Sequence, residues 1–462
     1  MINLGKDLSR LLSKDKVKTD PEDLYSYASD SIRYYAKNNP DAVILPSSAE
    51  DVSTVIKYAN KNSIPVTPRG AGSGLAGGCV PVDGGIVLDM KRMNSIVEVN
   101  RGNMTAITEA GTVLLNFHRA VEKENLFYPP DPQSMSVCTL GGNIATRAGG
   151  PRGVKYGTTG NYVLGLEFVL PDGEIINTGG TCVKNSVGYD ITHLMTGSEG
   201  TLGVITKVIS RLIPLPPFKK TIIVGCKTAE LAAQIVSTIT ANGAVPAMLE
   251  YISQGATGFL NSYIKTPLIS EMEAYLFLEL DGIESQIENE ANKIRSICKD
   301  LGVSDIRVIE DAKEAKSYWD ARSKLQPILQ SFFKKLIVED VTVPRDKFPE
   351  LIRALPEISA ATGLLVGAAG HAGDGNVHPS VLLGEVNDET NKKSEEAVDM
   401  IINEAISLGG CISGEHGIGL HKSAYLEKSI GKRQVELLKQ IKKAIDPDGI
   451  MNPGKIWTRE AK

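Results

Sequence analysis

Apolar residues recur along the chain at two spacings, one typical of strands and one of helices. Between residues 42 and 90 the pattern predicts a strand, a helix, a second strand, a glycine-rich loop and a third strand. Apolar runs at 42–45, 64–66 and 85–89 mark the strands. Apolar positions 52, 55, 56 and 59 have helical spacing, and Ser47 with Glu50 forms a capping box that would begin the helix.

The second half of the chain has a different order of predicted strands and helices. Residues 213–217 read IPLPP, which is poor helix or central-strand material, so we place a domain boundary there. Predicted strands then alternate irregularly with predicted helices, and this mixed order indicates an α+β layer. The strands fall at 221–225, 274–280 and 306–309, and the helices at 229–242 and 284–301. The chain is helical again after residue 420.

Composition and charge narrow the function classes. The 462 residues carry a net charge of −5 with no long Lys/Arg block, which argues against a nucleic-acid surface. None of the six cysteines forms a C-x-x-C pair, so neither an iron–sulfur cluster nor a structural zinc site is indicated. Sparse cysteines, no signal-peptide core and no apolar window of membrane-spanning length predict a cytoplasmic protein in a reducing compartment.

The glycine-rich loop after residue 67 is the first candidate for ligand binding. Gly72-Ser-Gly74-Leu-Ala-Gly77 matches G-x-G-x-x-G, but a strand follows it instead of a helix, which argues against a nicotinamide dinucleotide site. A strand–loop–strand hairpin of this kind can turn several backbone N–H groups toward one pyrophosphate, and Arg69 could add charge. The alternative is a flexible surface hairpin.

Two histidines flank a predicted turn in the segment GLLVGAAGHAGDGNVHPSVLL (363–383). If Asp374-Gly375 is a two-residue type I′ turn, His371 and His378 are directly opposite, with Cβ atoms about 4.5–5.5 Å apart. A longer loop would break this register. Both imidazoles could then bind one metal ion.

The segment SGEHGIG (413–419) supplies a carboxylate, Glu415, and a further imidazole, His416. Two histidines and a carboxylate suit Zn²⁺, Fe²⁺ or Mn²⁺. We interpret His118 and His193 as structural and leave His421 open.

Five segments resemble one known family in sequence and in order. They are PRGAGSGLAGG (68–78), YPPDPQS (128–134), TLGGNIATRAGG (139–150), TGSEGTLGVIT (196–206) and NPGK (452–455). The chain resembles the FAD-binding proteins of the vanillyl-alcohol-oxidase/PCMH superfamily, in the branch of glycolate oxidase D-subunits and D-lactate dehydrogenases. The resemblance runs from about residue 20 to the C-terminus.

The resemblance implies an α+β fold. Residues 1–217 would form a two-part PCMH-type FAD-binding domain, 218–420 a ferredoxin-like α+β cap with the metal site, and 421–462 a helical return to the FAD domain. It also implies FAD contacts at Arg69, Gly70, Ala71, Gly72, Ser73, Gly77, Pro130, Asp131, Ser134, Gly141, Gly142, Gly149, Glu199, Gly200, Ile205 and Asn452. Some relatives tether FAD through a loop histidine, but none lies between residues 69 and 80, so non-covalent FAD is expected.

The resemblance further implies an enzyme that oxidises a D-2-hydroxy acid, with D-lactate as the first candidate. In such relatives the residues matching His371, His378 and Glu415 hold a divalent metal, and that matching His416 is the proposed base. The arginine of Trp319-Asp-Ala-Arg322 would bind the substrate carboxylate, unless it is an ordinary exposed helical arginine.

Other functions stay open at this point. Glycolate and D-2-hydroxyglutarate are alternative substrates, and an alkylglycerone-phosphate synthase would use FAD without net oxidation. A non-catalytic electron-transfer subunit would not need the histidines and Glu415. The reduced flavin of a dehydrogenase must pass its electrons on, and candidates are an electron-transferring flavoprotein, an iron–sulfur subunit, a quinone or O₂. No membrane span or nucleic-acid partner is expected.

Overall fold

The computed structural model describes residues 3–31, 39–264, 266–269 and 271–458 and has the mixed helix-and-strand content of an α+β protein. The strands are β1 Val17–Lys18, β2 Ala42–Ile44, β3 Val66–Arg69, β4 Ile86–Asp89, β5 Ile96–Asn100, β6 Thr105–Glu109, β7 Leu126–Phe127, β8 Val163–Val169, β9 Ile175–Gly179, β10 Val204–Arg211, β11 Ile213–Pro214, β12 Phe218–Cys226, β13 Met248–Ser253, β14 Ala274–Gly282, β15 Asp305–Ile309, β16 Lys335–Val338, β17 Val341–Thr342, β18 Leu365–His371 and β19 Asn376–Leu383.

The helices follow the same chain order. They are α1 Leu4–Leu11, α2 Pro21–Tyr25, α3 Ala49–Lys61, α4 Leu114–Glu122, α5 Leu140–Thr146, α6 Gly153–Tyr156, α7 Ile191–Met195, α8 Ala229–Ala241, α9 Gln254–Leu260, α10 Glu284–Asp300, α11 Ala312–Ser323, α12 Leu325–Phe332, α13 Phe348–Thr362, α14 Asp388–Ser407, α15 Leu426–Ile430 and α16 Lys432–Ile445. None of the helices in the described ranges combines the length and the hydrophobicity that a membrane span requires.

The chain divides into two compact units. The first consists of Met1–Ala148, Thr158–Leu215 and Glu415–Lys462, and the second of Gly149–Gly157 and Pro216–Gly414. The sequence analysis placed domain boundaries after residues 217 and 420. In the structure the units divide after residues 215 and 414. Two details differ from expectation: Gly149 belongs to the second unit, and the proline segment at 213–217 begins with a short strand, β11, paired with β7.

The first unit contains two larger sheets. One has the order β1-β2-β4-β3, with β2, β4 and β3 parallel, and the other is antiparallel with the order β5-β6-β10-β8-β9. Helix α3 buries its predicted apolar stripe in the core of the parallel sheet. The predicted capping box is wrong by one residue, because Ser48 rather than Ser47 accepts the N–H of Asp51 and begins the helix.

The second unit is built on one large antiparallel sheet with the order β15-β12-β14-β13-β18-β19-β16, and β17 pairs with β19. Its central strands β13 and β14 are almost wholly buried. Side chains of α9, α11 and α12 pack against apolar residues of this sheet in a single cluster. Buried polar side chains on β13, β18 and β19 are therefore shielded from water, which strengthens every electrostatic contact they make.

Candidate active site

The histidine hairpin has a longer turn than the one assumed from sequence. The connection spans residues 372–375, in which Ala372–Asp374 forms a 3₁₀ turn and Gly375 has φ of +83°. His371 therefore pairs with Asn376, and His378 pairs with Ala369. The predicted direct opposition of the two histidines is wrong. They are diagonal neighbours across the ladder, and the period-two alternation still puts them on one face of the sheet.

The diagonal arrangement brings the two imidazoles together. His371 Nε2 lies 3.4 Å from His378 Nε2, the rings are nearly perpendicular, and both side chains are buried. Two nitrogens bound to one tetrahedral zinc ion at about 2.0–2.1 Å would lie about 3.3–3.4 Å apart. The spacing of the pair thus fits a shared divalent metal ion.

Glu250, a buried carboxylate on β13, contacts the first imidazole of this pair, that of His371. The ladder places Tyr251 opposite Gly370, so Glu250 is level with His371 on the neighbouring strand. His371 donates from Nδ1 to Glu250 Oε1 at 2.6 Å. Burial raises the pKa of Glu250, but the opposing effect of His371 and Arg322 outweighs it, so the net shift is downward. Glu250 is therefore held as a carboxylate inside the sheet.

The same carboxylate contacts Arg322, which the sequence suggested as a substrate anchor. Arg322 lies near the end of α11 and is only 5% exposed, so the alternative of an ordinary exposed arginine is wrong. Its terminal NH2 nitrogen is 2.6 Å from Glu250 Oε2, although the contact lacks hydrogen-bond alignment. Arg322 Nε and this same nitrogen have no hydrogen-bond partner among the described residues. Buried donors in this state are costly, and a bound anion would satisfy them.

A second buried carboxylate lies near His378. Asp340 Oδ1 is 4.0 Å from His378 Nδ1 and accepts a hydrogen bond from Asn376 Nδ2 at 2.7 Å. Its other oxygen accepts from Ser413 Oγ at 2.7 Å. Asn376, the last residue of the predicted GDGN turn, therefore ties β19 to the segment that carries Asp340. Each imidazole of the pair has a buried acid beside its Nδ1 atom.

In the first unit, the glycine-rich loop is fitted closely to its surroundings. A Cβ atom at Gly70 would lie 2.3 Å from Oγ1 of Thr139, the residue that caps α5. Arg69 is buried, donates to Ser29 O at 2.8 Å and lies over the Tyr27 ring. A Cβ atom at Gly72 would collide with its guanidinium group. Arg69 thus supports the loop from within the first unit.

Glu199 and Asn452 join the loop to the returning C-terminal segment. Asn452 Nδ2 donates to Gly78 O at 2.8 Å and to Glu199 O at 2.7 Å. The Glu199 carboxylate accepts the backbone N–H groups of Ile418 and Gly419, both at 2.8 Å. Burial raises the pKa of Glu199 despite these two donors. Glu199 also has φ of +52°, an unusual backbone for a non-glycine residue, which points to a constrained position.

The remaining sequence-predicted FAD residues, apart from Gly149, lie in the first unit; they are Ala71, Ser73, Gly77, Pro130, Asp131, Ser134, Gly141, Gly142, Gly200 and Ile205. Asn452 Oδ1 is buried with no hydrogen-bond partner among the described residues. An open acceptor there fits a ligand with N–H or O–H groups, and FAD carries both. The closely packed glycine-rich loop and the buried acceptor atom of Asn452 are therefore compatible with FAD binding in the first unit.

The other histidines separate into structural and candidate catalytic groups. His118 Nε2 is 3.0 Å from Pro130 O, and His193 Nδ1 is 2.7 Å from Asp190, so both are engaged locally. Burial lowers the pKa of His421 to about 4, so this side chain is neutral near pH 7. His416 lies beside Glu415, with Nε2 and Oε1 3.9 Å apart, on the segment that Glu199 fixes.

Glu250 and Asp340 are the residues that the sequence analysis missed. Glu250 is a lone acid in the buried run MLEYIS, and Asp340 sits in IVEDV. Charged residues are almost never fully buried unless they are paired, so the single acid in the apolar strand MLEYIS was the available signal for Glu250.

Two family models match the chain. One, described as FAD binding domain, matches residues 40–179, and the other, described as FAD linked oxidases, C-terminal domain, matches residues 215–456. The second match covers more than half of the chain, which therefore belongs to the FAD-linked oxidases.

Within that family the chain belongs to the branch of glycolate oxidase D-subunits and D-lactate dehydrogenases. It is 40% identical over 439 residues to the glycolate oxidase subunit GlcD of Bacillus subtilis, covering 95% of this chain and 93% of that protein. It is 34% identical over 466 residues to a D-lactate dehydrogenase of Anaerostipes hadrus, covering 99% and 97% respectively. These matches confirm the predicted branch and make the chain an FAD-dependent oxidoreductase.

The fold also matches a solved structure of p-cresol methylhydroxylase with a TM-score of 0.80, over 98% of this chain and 96% of that chain. Sequence identity is 18%, so this likeness shows the fold alone. It confirms the predicted PCMH-type α+β architecture.

Proposed function

We propose that this protein is an FAD-dependent, metal-assisted dehydrogenase of a small D-2-hydroxy acid, with D-lactate as the first candidate substrate. The observation that carries the proposal is the chain of contacts Arg322–Glu250–His371 in the second unit. A 2-hydroxy acid has a carboxylate next to an alcohol. A buried arginine with unfilled donors beside a metal-binding pair matches those two groups.

The proposed metal ligands are His371, His378 and Glu415. The imidazole spacing supports the first two, as described above. Glu415 is supported by chain continuity. A Cβ atom at Gly414 would lie 2.2 Å from Asn376 Nδ2, so the backbone at Gly414 packs against the residue paired with His371. Glu415 is the next residue along the chain. Two histidines and one carboxylate leave further coordination positions for substrate.

In this proposal each residue has one task. When bound, FAD supplies the hydride acceptor and the metal ion supplies Lewis acidity toward the alcohol. Arg322 binds the substrate carboxylate and fixes its orientation. His416 accepts the proton of the substrate hydroxyl. Glu199 holds the backbone that follows His416 and so limits how far that imidazole can move.

We also propose that the electrons leave to a protein acceptor in the cytoplasm. An electron-transferring flavoprotein is the first candidate and an iron–sulfur subunit the second. The test is anaerobic reoxidation of substrate-reduced enzyme by purified electron-transferring flavoprotein. Reoxidation within turnover time supports this acceptor, whereas reoxidation by O₂ or a quinone alone contradicts it.

Substrate choice is tested with purified, metal-loaded protein under anaerobic conditions. D-lactate, L-lactate, glycolate and D-2-hydroxyglutarate are mixed separately with the oxidised enzyme, and flavin absorbance near ~450 nm is followed. Bleaching by D-lactate and not by L-lactate supports the proposal. Faster bleaching by glycolate or D-2-hydroxyglutarate reassigns the substrate. No bleaching by any of the four contradicts the dehydrogenase and favours non-redox chemistry of the alkylglycerone-phosphate synthase kind.

A further inference from the structure

Glu250 occupies a costly position that the reaction as proposed does not explain. It lies on β13 near the middle of the large sheet, and its side chain is completely shielded from solvent. Strands β14 and β18 flank β13, so Glu250 lies on an interior strand and not at an edge of the sheet. An isolated carboxylate in such a place is strongly unfavourable and requires charged partners. Among the described residues it pairs with two, His371 and Arg322, and they have different proposed tasks.

The first partner is His371, through oxygen Oε1. A carboxylate accepts hydrogen bonds, so the 2.6 Å contact assigns the ring proton of His371 to Nδ1. In the neutral ring the lone pair is then on Nε2, the atom that faces His378 Nε2. Carboxylate–histidine pairs behind metal ions fix the tautomer and the ring orientation in this way and raise the basicity of the ligand.

The second partner is Arg322, through oxygen Oε2. The ion pair at 2.6 Å joins two side chains that are both buried, with 6% and 0% exposure. The carboxylate thereby restrains the guanidinium group on one side, while its Nε donor stays without a partner among the described residues. One rigid three-atom carboxylate group thus sets the distance between the imidazole of His371 and the guanidinium group of Arg322.

We propose that Glu250 is a positioning residue that orients His371 toward a divalent cation and holds Arg322 for the substrate carboxylate. The proposal rests on the metal-assisted function given above and extends it to a residue outside the suggested ligand set. It predicts that loss of the Glu250 charge weakens metal binding and substrate binding together, because both partners depend on the same group.

The test uses metal-stripped holoenzyme with FAD bound, titrated with Zn²⁺ or Mn²⁺ alone by calorimetry. Glu250→Gln keeps the size of the side chain and removes its charge. We expect about 10- to 100-fold weaker metal binding, the usual effect of losing such a partner. Steady-state assays should show a raised KM for the hydroxy acid as well, which a purely structural role would not couple to metal affinity.

The matched control is Glu279→Gln. Glu279 lies on the adjacent strand β14, is also buried and pairs with Lys219 at 3.0 Å. Metal affinity of this variant should equal that of the unaltered protein. If Glu250→Gln fails to fold with Arg322 left unpaired, the double variant Glu250→Gln/Arg322→Met removes both charges and should still bind the metal about 10-fold or more weakly.

The outcomes separate the two proposals. Normal metal affinity in folded Glu250→Gln, or in the double variant, overturns the positioning role and leaves the metal-assisted function standing. Failure of the unaltered holoenzyme to bind Zn²⁺, Mn²⁺ or, in a matching anaerobic titration, Fe²⁺ overturns both. Weakened binding in Glu279→Gln to the same degree as in Glu250→Gln also overturns the positioning role, since the effect would then be a general one of sheet acids.

Discussion

The two units use different parts of the chain for their proposed ligands. In the first unit the backbone of the glycine-rich loop packs closely against the side chains of Thr139 and Arg69. Asn452 fixes the far end of the loop by donating hydrogen bonds to backbone carbonyl oxygens. In the second unit Glu250, Arg322, His371 and His378 form a cluster of buried side chains. A backbone site is sensitive to added volume, whereas a side-chain site is sensitive to the loss of one charge or one ring nitrogen.

The largest effect is expected at His416, in the returning segment of the first unit. His416→Ala should reduce the rate of anaerobic flavin reduction by about 10²–10⁴, because removal of a positioned base has this cost. Stopped-flow absorbance measures it. His421→Asn is the control, because a pKa of about 4 makes His421 a weak base near pH 7. An unchanged rate in His416→Ala would exclude His416 as the base.

An intermediate effect is expected at Arg322, where the charge stays but the planar fork is lost. Arg322→Lys should raise KM by roughly 10- to 100-fold, because a charge-assisted hydrogen bond contributes about 1.5–3 kcal/mol. Arg307→Lys is the matched control, since Arg307 pairs with Asp305 on β15 and has no task in the proposed site. Equal KM values for both variants would remove Arg322 from substrate binding.

The smallest effect is expected in the first unit, at Gly70. Gly70→Ala adds one methyl group 2.3 Å from Thr139 Oγ1, and relief of the overlap should weaken FAD binding by about 1 kcal/mol, or fivefold. Gly258→Ala is the control, because its added Cβ atom meets nothing within 4 Å and Gly258 lies on α9 of the second unit, outside the glycine-rich loop. Flavin release on dilution measures both. Equal retention of FAD by the two variants would contradict a tight backbone fit at Gly70.

The same contrast explains what the sequence could predict. The glycine motifs are contiguous and ordered along the chain, so they identified the FAD-binding fold and the branch of the family. The pairing of His371 with His378 could be predicted because the two residues flank one hairpin. Their diagonal register could not, because it depends on whether the turn has two or four residues, and both lengths fit HAGDGNVH.

The parts that Glu250 and Asp340 play in the site could not be predicted from the sequence, for a stronger reason. Glu250 is 121 positions from His371 in the sequence, and only the antiparallel pairing of β13 with β18 brings the two level. That pairing follows from the order of the whole sheet, which no local pattern specifies. The role of Glu199 likewise depends on a segment that returns more than two hundred residues later to Ile418 and Gly419.

We expect D-lactate to reduce the bound flavin only when a divalent metal ion is held by His371 and His378. The direct measurement is the anaerobic rate of flavin bleaching by D-lactate in three samples: untreated protein, chelator-treated protein, and chelator-treated protein with Zn²⁺ or Mn²⁺ restored. This requirement predicts bleaching in the first and third samples and a rate lower by several orders of magnitude in the second, at equal FAD content. Equal bleaching in all three samples would contradict it.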